Sequence, residues 1–180
     1  MAQSRTYDLD ISRKILRVLM ILNPIGGFLI LGLLVASFVA EDFIIRALIH
    51  EHGAASAAEN HMLIVGMRWI MFLGVVSLWL LQVALRRVLA IVETVKAGDP
   101  FVLINAERLK TVAWIALSLE VMHFVIGFIA MRISSTEHPL DIDIDMKFNF
   151  TRWLGVLLLF VLARVFEQGA RMRDELEGTV

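Results

Sequence analysis

Three histidines and two carboxylates, His50, Glu51, His52, Glu59 and His61, fall in one stretch of the chain, and imidazole with carboxylate is a ligand set that suits zinc or copper. Their spacing argues against a preformed metal site. His50 and His52 point away from each other on a helix, and the Ala- and Ser-rich residues 53–58 do not hold Glu59 and His61 nearby. A solvated loop accounts for the group more simply, so neither a metal nor another cofactor is expected. A second acidic group, Asp141, Asp143 and Asp145, alternates with Ile142, Ile144 and Met146 at the period of a strand, which puts the carboxylates on one face. That alternation fits a short extended segment, and an acidic cation site is the sharper alternative.

The third constellation is Glu120 with His123. Both belong to a series, Val102, Ala106, Leu109, Ala113, Ala116, Glu120, His123, Gly127 and Ala130, that recurs at steps of four and three and so forms one seam along a helix. Its small members favour close helix approach, so the pair is expected to face protein and not lipid. A mid-membrane carboxylate costs about 2.5–3.5 kcal/mol, which calls for a partner or for protonation. Arg164 and His123 are the candidate partners of Glu120. Two roles stay open for this intramembrane polar set: structural glue, or proton or ligand sensing.

These residues need helices in a bilayer to position them. Of the 180 residues 58% are hydrophobic and the mean hydropathy is +0.75, above the roughly 45–50% apolar share of soluble domains. Four apolar runs, at about 15–40, 62–85, 112–131 and 148–166, are each near the roughly 20 residues that span a hydrocarbon core. The first is expected to be retained and not cleaved, because it exceeds a secretory core and bulky Phe38 stands where a cleavage site needs a small residue. It contains Asn23-Pro24, read as a packing kink. The net charge of −1 hides a sorting by loop: twelve basic residues lie at the termini and around 86–110, and four lie around the other two loops. That asymmetry places both termini in the cytoplasm. The fold expected is all-α: one domain, an integral membrane bundle of four transmembrane helices with cytoplasmic helical extensions.

The stretch at 86–111 is written as a firm joint. Val88, Ile91, Val92 and Val95 prolong the second helix beyond Arg86 and Arg87 on one stripe. Gly98 supplies a left-handed stop, Asp99 stands as N-cap of the next helix and Pro100 as its first residue. Asn105 points into the apolar face and needs hydrogen-bond partners, in a neighbouring segment or in a visiting protein. The fourth helix also overruns the membrane, with Val165, Gly169, Met172 and Leu176 on one stripe of the tail at 167–180. Arg68-Trp69 and Arg152-Trp153 open their spans alike, as interfacial anchors and as traces of a repeated hairpin. Only eleven residues, about 16 Å of helix, separate Arg152 from Arg164, so one of them is expected to enter the hydrocarbon depth.

At Gly98-Asp99-Pro100-Phe101, Asn105 and Arg108-Leu109, and again from Val165-Phe166-Glu167-Gln168-Gly169 to the closing Thr179-Val180, the chain resembles a bacterial family of four-span membrane proteins known only as a domain of unknown function. Gln168 departs from it, standing where an acidic residue is expected. Members of that family are often encoded beside a small Xre-type helix-turn-helix protein, so the resemblance implies a membrane partner for a transcription regulator. The expectation is a multi-pass protein of the bacterial inner membrane whose hairpin and tail dock that regulator through Asp99, Phe101, Asn105, Arg108, Phe166 and Met172. Direct nucleic-acid binding by this chain is not expected; self-association into a homo-oligomer is left open. A small proton- or ligand-coupled transporter using Glu120 and His123 is the alternative. Enzymatic activity is not expected, because no nucleophile elbow, phosphate loop or metal motif is present and the lack of cysteine removes thiol chemistry.

Overall fold

The computed structural model describes residues 2–41, 57–134 and 149–177. These fold into four helices: α1 (Ala2–Val39), α2 (Ala57–Lys96), α3 (Leu103–Ser134) and α4 (Phe150–Glu177). No strand occurs among the described residues; the loop histidines and carboxylates at 50–61 and the alternating aspartates at 141–145 have side chains outside them. The helices hold 38, 40, 32 and 28 residues, about 57, 60, 48 and 42 Å at 1.5 Å per residue, against a hydrocarbon core of about 30 Å.

All four are long and apolar enough to cross a membrane, over Asp10–Val39, Met62–Lys96, Leu103–Ile133 and Phe150–Leu176. Large apolar side chains stand exposed along each of them, among them Phe28, Leu29, Trp79, Trp114 and Leu157. A soluble protein does not present continuous surfaces of this kind, because their transfer to water is unfavourable along the whole length. Lipid is the solvent these helices are built for, and the chain is a multi-pass membrane protein.

The chain forms two compact units, one from Met1–Pro24, Leu80–Glu120 and Asn149–Val180, the other from Ile25–Trp79 and Val121–Phe148. In the first, four of the buried residues are alanines, Ala106 and Ala113 on α3 and Ala163 and Ala170 on α4, joined by Leu109, Val112, Ile115 and Val156. Hydrophobic transfer gives little between helices already in lipid, so close backbone approach through alanine is what packs them. In the second unit Gly66 plays that part. A Cβ built on it would lie 2.5 Å from Ile133 Cδ1. The expected α3 seam is present residue by residue: Ala106, Leu109, Ala113, Gly127 and Ala130 are buried, and Val102, Ala116, Glu120 and His123 half-buried.

Pro24 lies inside α1 and removes the N–H that would bond the Met20 carbonyl four residues back. Gln82 of α2 replaces that donor. Its Nε2 donates to the Met20 oxygen at 3.2 Å while its Oε1 accepts from Asn23 Nδ2 at 3.0 Å. A neighbouring helix re-satisfying the carbonyl freed by proline is what makes proline tolerable in lipid. Gln82→Leu is therefore expected to cost about 1–2 kcal/mol in reversible unfolding from detergent, the scale of intramembrane hydrogen bonds. In a Pro24→Ala background, where residue 24 regains its N–H, most of that cost should disappear; an equal cost in both backgrounds would refute the assignment.

Candidate functional site at the interhelical corner

The corner between α2 and α3 begins with a helix stop at Gly98, whose φ is +89°. The Gly98 N–H donates to the Val95 carbonyl and the Asp99 N–H to the Thr94 carbonyl, both at 3.1 Å. These paired bonds, with glycine in the left-handed region, are a Schellman ending, as the sequence suggested. The next helix differs from expectation. α3 begins at Leu103, and the Val102 carbonyl accepts the Asn105 N–H at 2.9 Å, so Asp99 is not its N-cap and Pro100 is not its first residue. Both are used otherwise: the Asp99 carboxylate is ion-paired with Arg173 of α4, and the Pro100 carbonyl accepts from Asn105.

Asn105 is the centre of the corner and is 0% exposed. Its Nδ2 donates to Thr94 Oγ1 at 2.7 Å and to the Pro100 carbonyl at 3.0 Å. The Thr94 hydroxyl, with one proton, donates to the Ile91 carbonyl at 2.7 Å. Asn105 Oδ1 then accepts from Arg108 Nη1 at 3.0 Å, and the same Nη1 lies 3.1 Å from the Ala90 carbonyl. A single amide thus ties the end of α2, the turn and the first turn of α3 together. Such a satisfied buried network fixes one conformation, since every alternative leaves a polar group unpaired.

α4 completes the corner. The Phe101 ring packs on Phe166, with centroids 5.3 Å apart, and lies against Gly169, where a Cβ would meet Phe101 Cδ1 at 2.9 Å. Gly169 is therefore the seat of an aromatic ring. α1 also belongs here: Asp10 pairs with Lys96, and Arg13 approaches Glu93 at 3.7 Å. The sequence signalled extensions of the second and fourth helices; the ion pairs bring the N-terminal helix to the same corner.

The six residues expected to contact a partner fall into two groups. Asp99, Asn105 and Arg108 are engaged within the chain and shape the corner. Phe101 is 44% and Met172 60% exposed, with half-buried Phe166 beneath Phe101. Leu176, one turn after Met172, is 71% exposed.

The intramembrane polar set is not drawn together. Arg164 bonds Glu167 at 3.3 Å on its own helix, its side chain 70% exposed, so it does not serve Glu120. A carboxylate three residues away is the shorter reach. Among the described residues Glu120 forms no ion pair, and His123 Nε2 is buried without a hydrogen-bond partner. No cluster of three metal-ligating side chains exists among the described residues. Arg68, read as an interfacial anchor, is fixed in the second unit. It donates to the Ser37 carbonyl at 2.7 Å, pairs with Glu41 at 2.9 Å and lies 4.1 Å over the Phe38 ring. It so caps the α1 C-terminus, whose carbonyls and dipole favour a cation.

Residues 52–180, which take in α2, α3, α4 and the corner, match the family described as protein of unknown function (DUF2975). No curated protein matches the chain, and no solved structure does.

Proposed function

The chain belongs to the DUF2975 family, and from that premise we propose that it is a regulatory membrane protein whose corner and tail face the cytoplasm and hold a soluble partner there. The partner is a small helix-turn-helix transcription regulator, and the membrane is the bacterial inner membrane. The observation that carries this reading is the combination of a corner locked by Asn105 with exposed apolar side chains, Phe101 at the corner and Met172 and Leu176 on α4. A rigid apolar surface loses little entropy on binding, and exposed patches of this kind mark interaction sites.

Two measurements test it. The chain has no cysteine, so Ala97→Cys introduces a single thiol beside Gly98; a membrane-impermeant thiol reagent should label it only after cells are opened. Affinity capture from detergent, with the regulator encoded beside the gene co-expressed, should retain that regulator. Met172→Glu with Leu176→Glu, at the two exposed positions of this surface on α4, should weaken retention at least about thirty-fold, the scale of a lost anchor, without lowering the unfolding midpoint. Labelling of intact cells, or no capture by the unaltered protein, defeats the reading.

A second reading, a proton-coupled carrier, draws support from the unpartnered Nε2 of His123. Proton flux in liposomes that His123→Ala or Glu120→Gln abolishes would favour it.

A further inference from the structure

Away from the Phe101 face, α3 and α4 enclose a groove of about 430 Å³. Its floor is apolar, with Leu103, Ala106, Phe160 and Ala163, and its rim carries Lys110, Arg164 and Arg171. Two carboxylates share the rim, Glu107 and Glu167. Glu167 is occupied by both arginines, Arg164 at 3.3 Å and Arg171 at 2.7 Å, and Lys110 has no ion pair among the described residues; with Glu107 counted as well, the rim keeps a net positive charge.

The depth of the groove follows from Phe160, which lines it, and from Trp114 beside Phe160. Trp114 is one turn beyond Lys110 on α3, and Phe160 is one turn before Arg164 on α4, in both cases toward the apolar middle of the helix. The two rings meet edge to face with centroids 5.4 Å apart. Tryptophan concentrates where hydrocarbon gives way to headgroups, and a cation one turn outward, about 6 Å, stands at the phosphate level. Exposed Leu157 and Val161 continue the apolar surface of α4 inward from there.

We infer that this groove is a binding site for one anionic phospholipid, its phosphate held by Lys110, Arg164 and Arg171 and its acyl chains laid along Trp114, Phe160 and Leu157. Charge and polarity complementarity select this occupant. A soluble anion has no use for the aromatic floor, and a zwitterionic lipid has its own cation facing the arginines. Basic pockets between membrane helices recognise lipid headgroups by this division of contacts. The inference is independent of partner docking, and its test contains no regulator.

The full-length protein in detergent is titrated with phosphatidylglycerol or phosphatidylcholine, and retained lipid is counted by native mass spectrometry. One phosphatidylglycerol should be retained in preference to phosphatidylcholine. Lys110→Gln with Arg171→Gln should weaken that retention at least about tenfold, since each cation near a membrane surface contributes about five-fold. Arg86→Gln with Arg87→Gln, which removes the same charge outside the groove, should leave it within about two-fold of the unaltered protein. Equal retention of the two lipids overturns the site, as does equal loss in the Arg86 and Arg87 variant. Displacement of the lipid by inorganic phosphate at matching concentration would make the ligand a free phosphate and overturn the proposal as well.

Discussion

Replacing Asn105 with leucine is expected to cost about 2–4 kcal/mol of stability, because the change keeps the side chain's bulk and removes every polar contact at the centre of the corner. The Pro100 carbonyl loses its donor, the Thr94 hydroxyl loses one, and Arg108 Nη1 loses an acceptor. Arg108 is half-buried and regains part of its loss from solvent, which keeps the figure below the sum of three orphaned groups. Equilibrium unfolding in detergent measures the global cost. Proteolysis reads its location: cleavage should rise between Ala97 and Val102 and stay unchanged elsewhere. Thr94→Val, which leaves the Pro100 and Arg108 bonds to Asn105 intact, should cost only about 1 kcal/mol. A leucine variant as stable as the unaltered protein, with no new cleavage, would show that the amide does not hold the corner. It would also remove the rigidity on which partner docking rests.

Gly66→Val is expected to cost about 2–3 kcal/mol through overpacking. The added Cβ would stand 2.5 Å from Ile133 Cδ1 and 2.9 Å from Ile133 Cγ1, and Ile133 is buried, so its side chain has little room to turn away. Glycine itself is a poor helix residue, and valine recovers a few tenths of a kcal/mol in backbone propensity that does not offset the clash. Gly155 supplies the control. A Cβ there meets nothing within 4 Å, so Gly155→Ala should leave stability unchanged or raise it by up to about 1 kcal/mol. Comparable losses at the two positions would mean that glycine is needed for backbone freedom generally, and that the close approach of Gly66 to Ile133 is not what matters.

Local chemistry carried much of this architecture. Four hydrophobic runs of spanning length set the fold class, because a backbone in lipid must bond to itself and a helix does so within one segment. Helix continuation past Arg86 and Arg87, the stop at Gly98, the small-residue seam of α3 and the continuation of the fourth helix to Glu177 were all legible, since each depends on residues within a turn or two of one another. The α3 start was misread at Asp99 because an acidic residue before proline is a strong local N-cap signal, and the competing claim on its carboxylate comes from Arg173, 74 residues away. Separations of 62, 27 and 86 residues likewise hid Gln82 from Met20, Arg68 from Glu41 and Lys96 from Asp10. Composition and periodicity determined that this is a four-helix membrane protein with a firm corner, because burial patterns repeat along a helix and are written in its own residues. Only the tertiary structure decided which polar group meets which, because that follows from the rotation and offset of one helix against another, set by packing along their whole lengths.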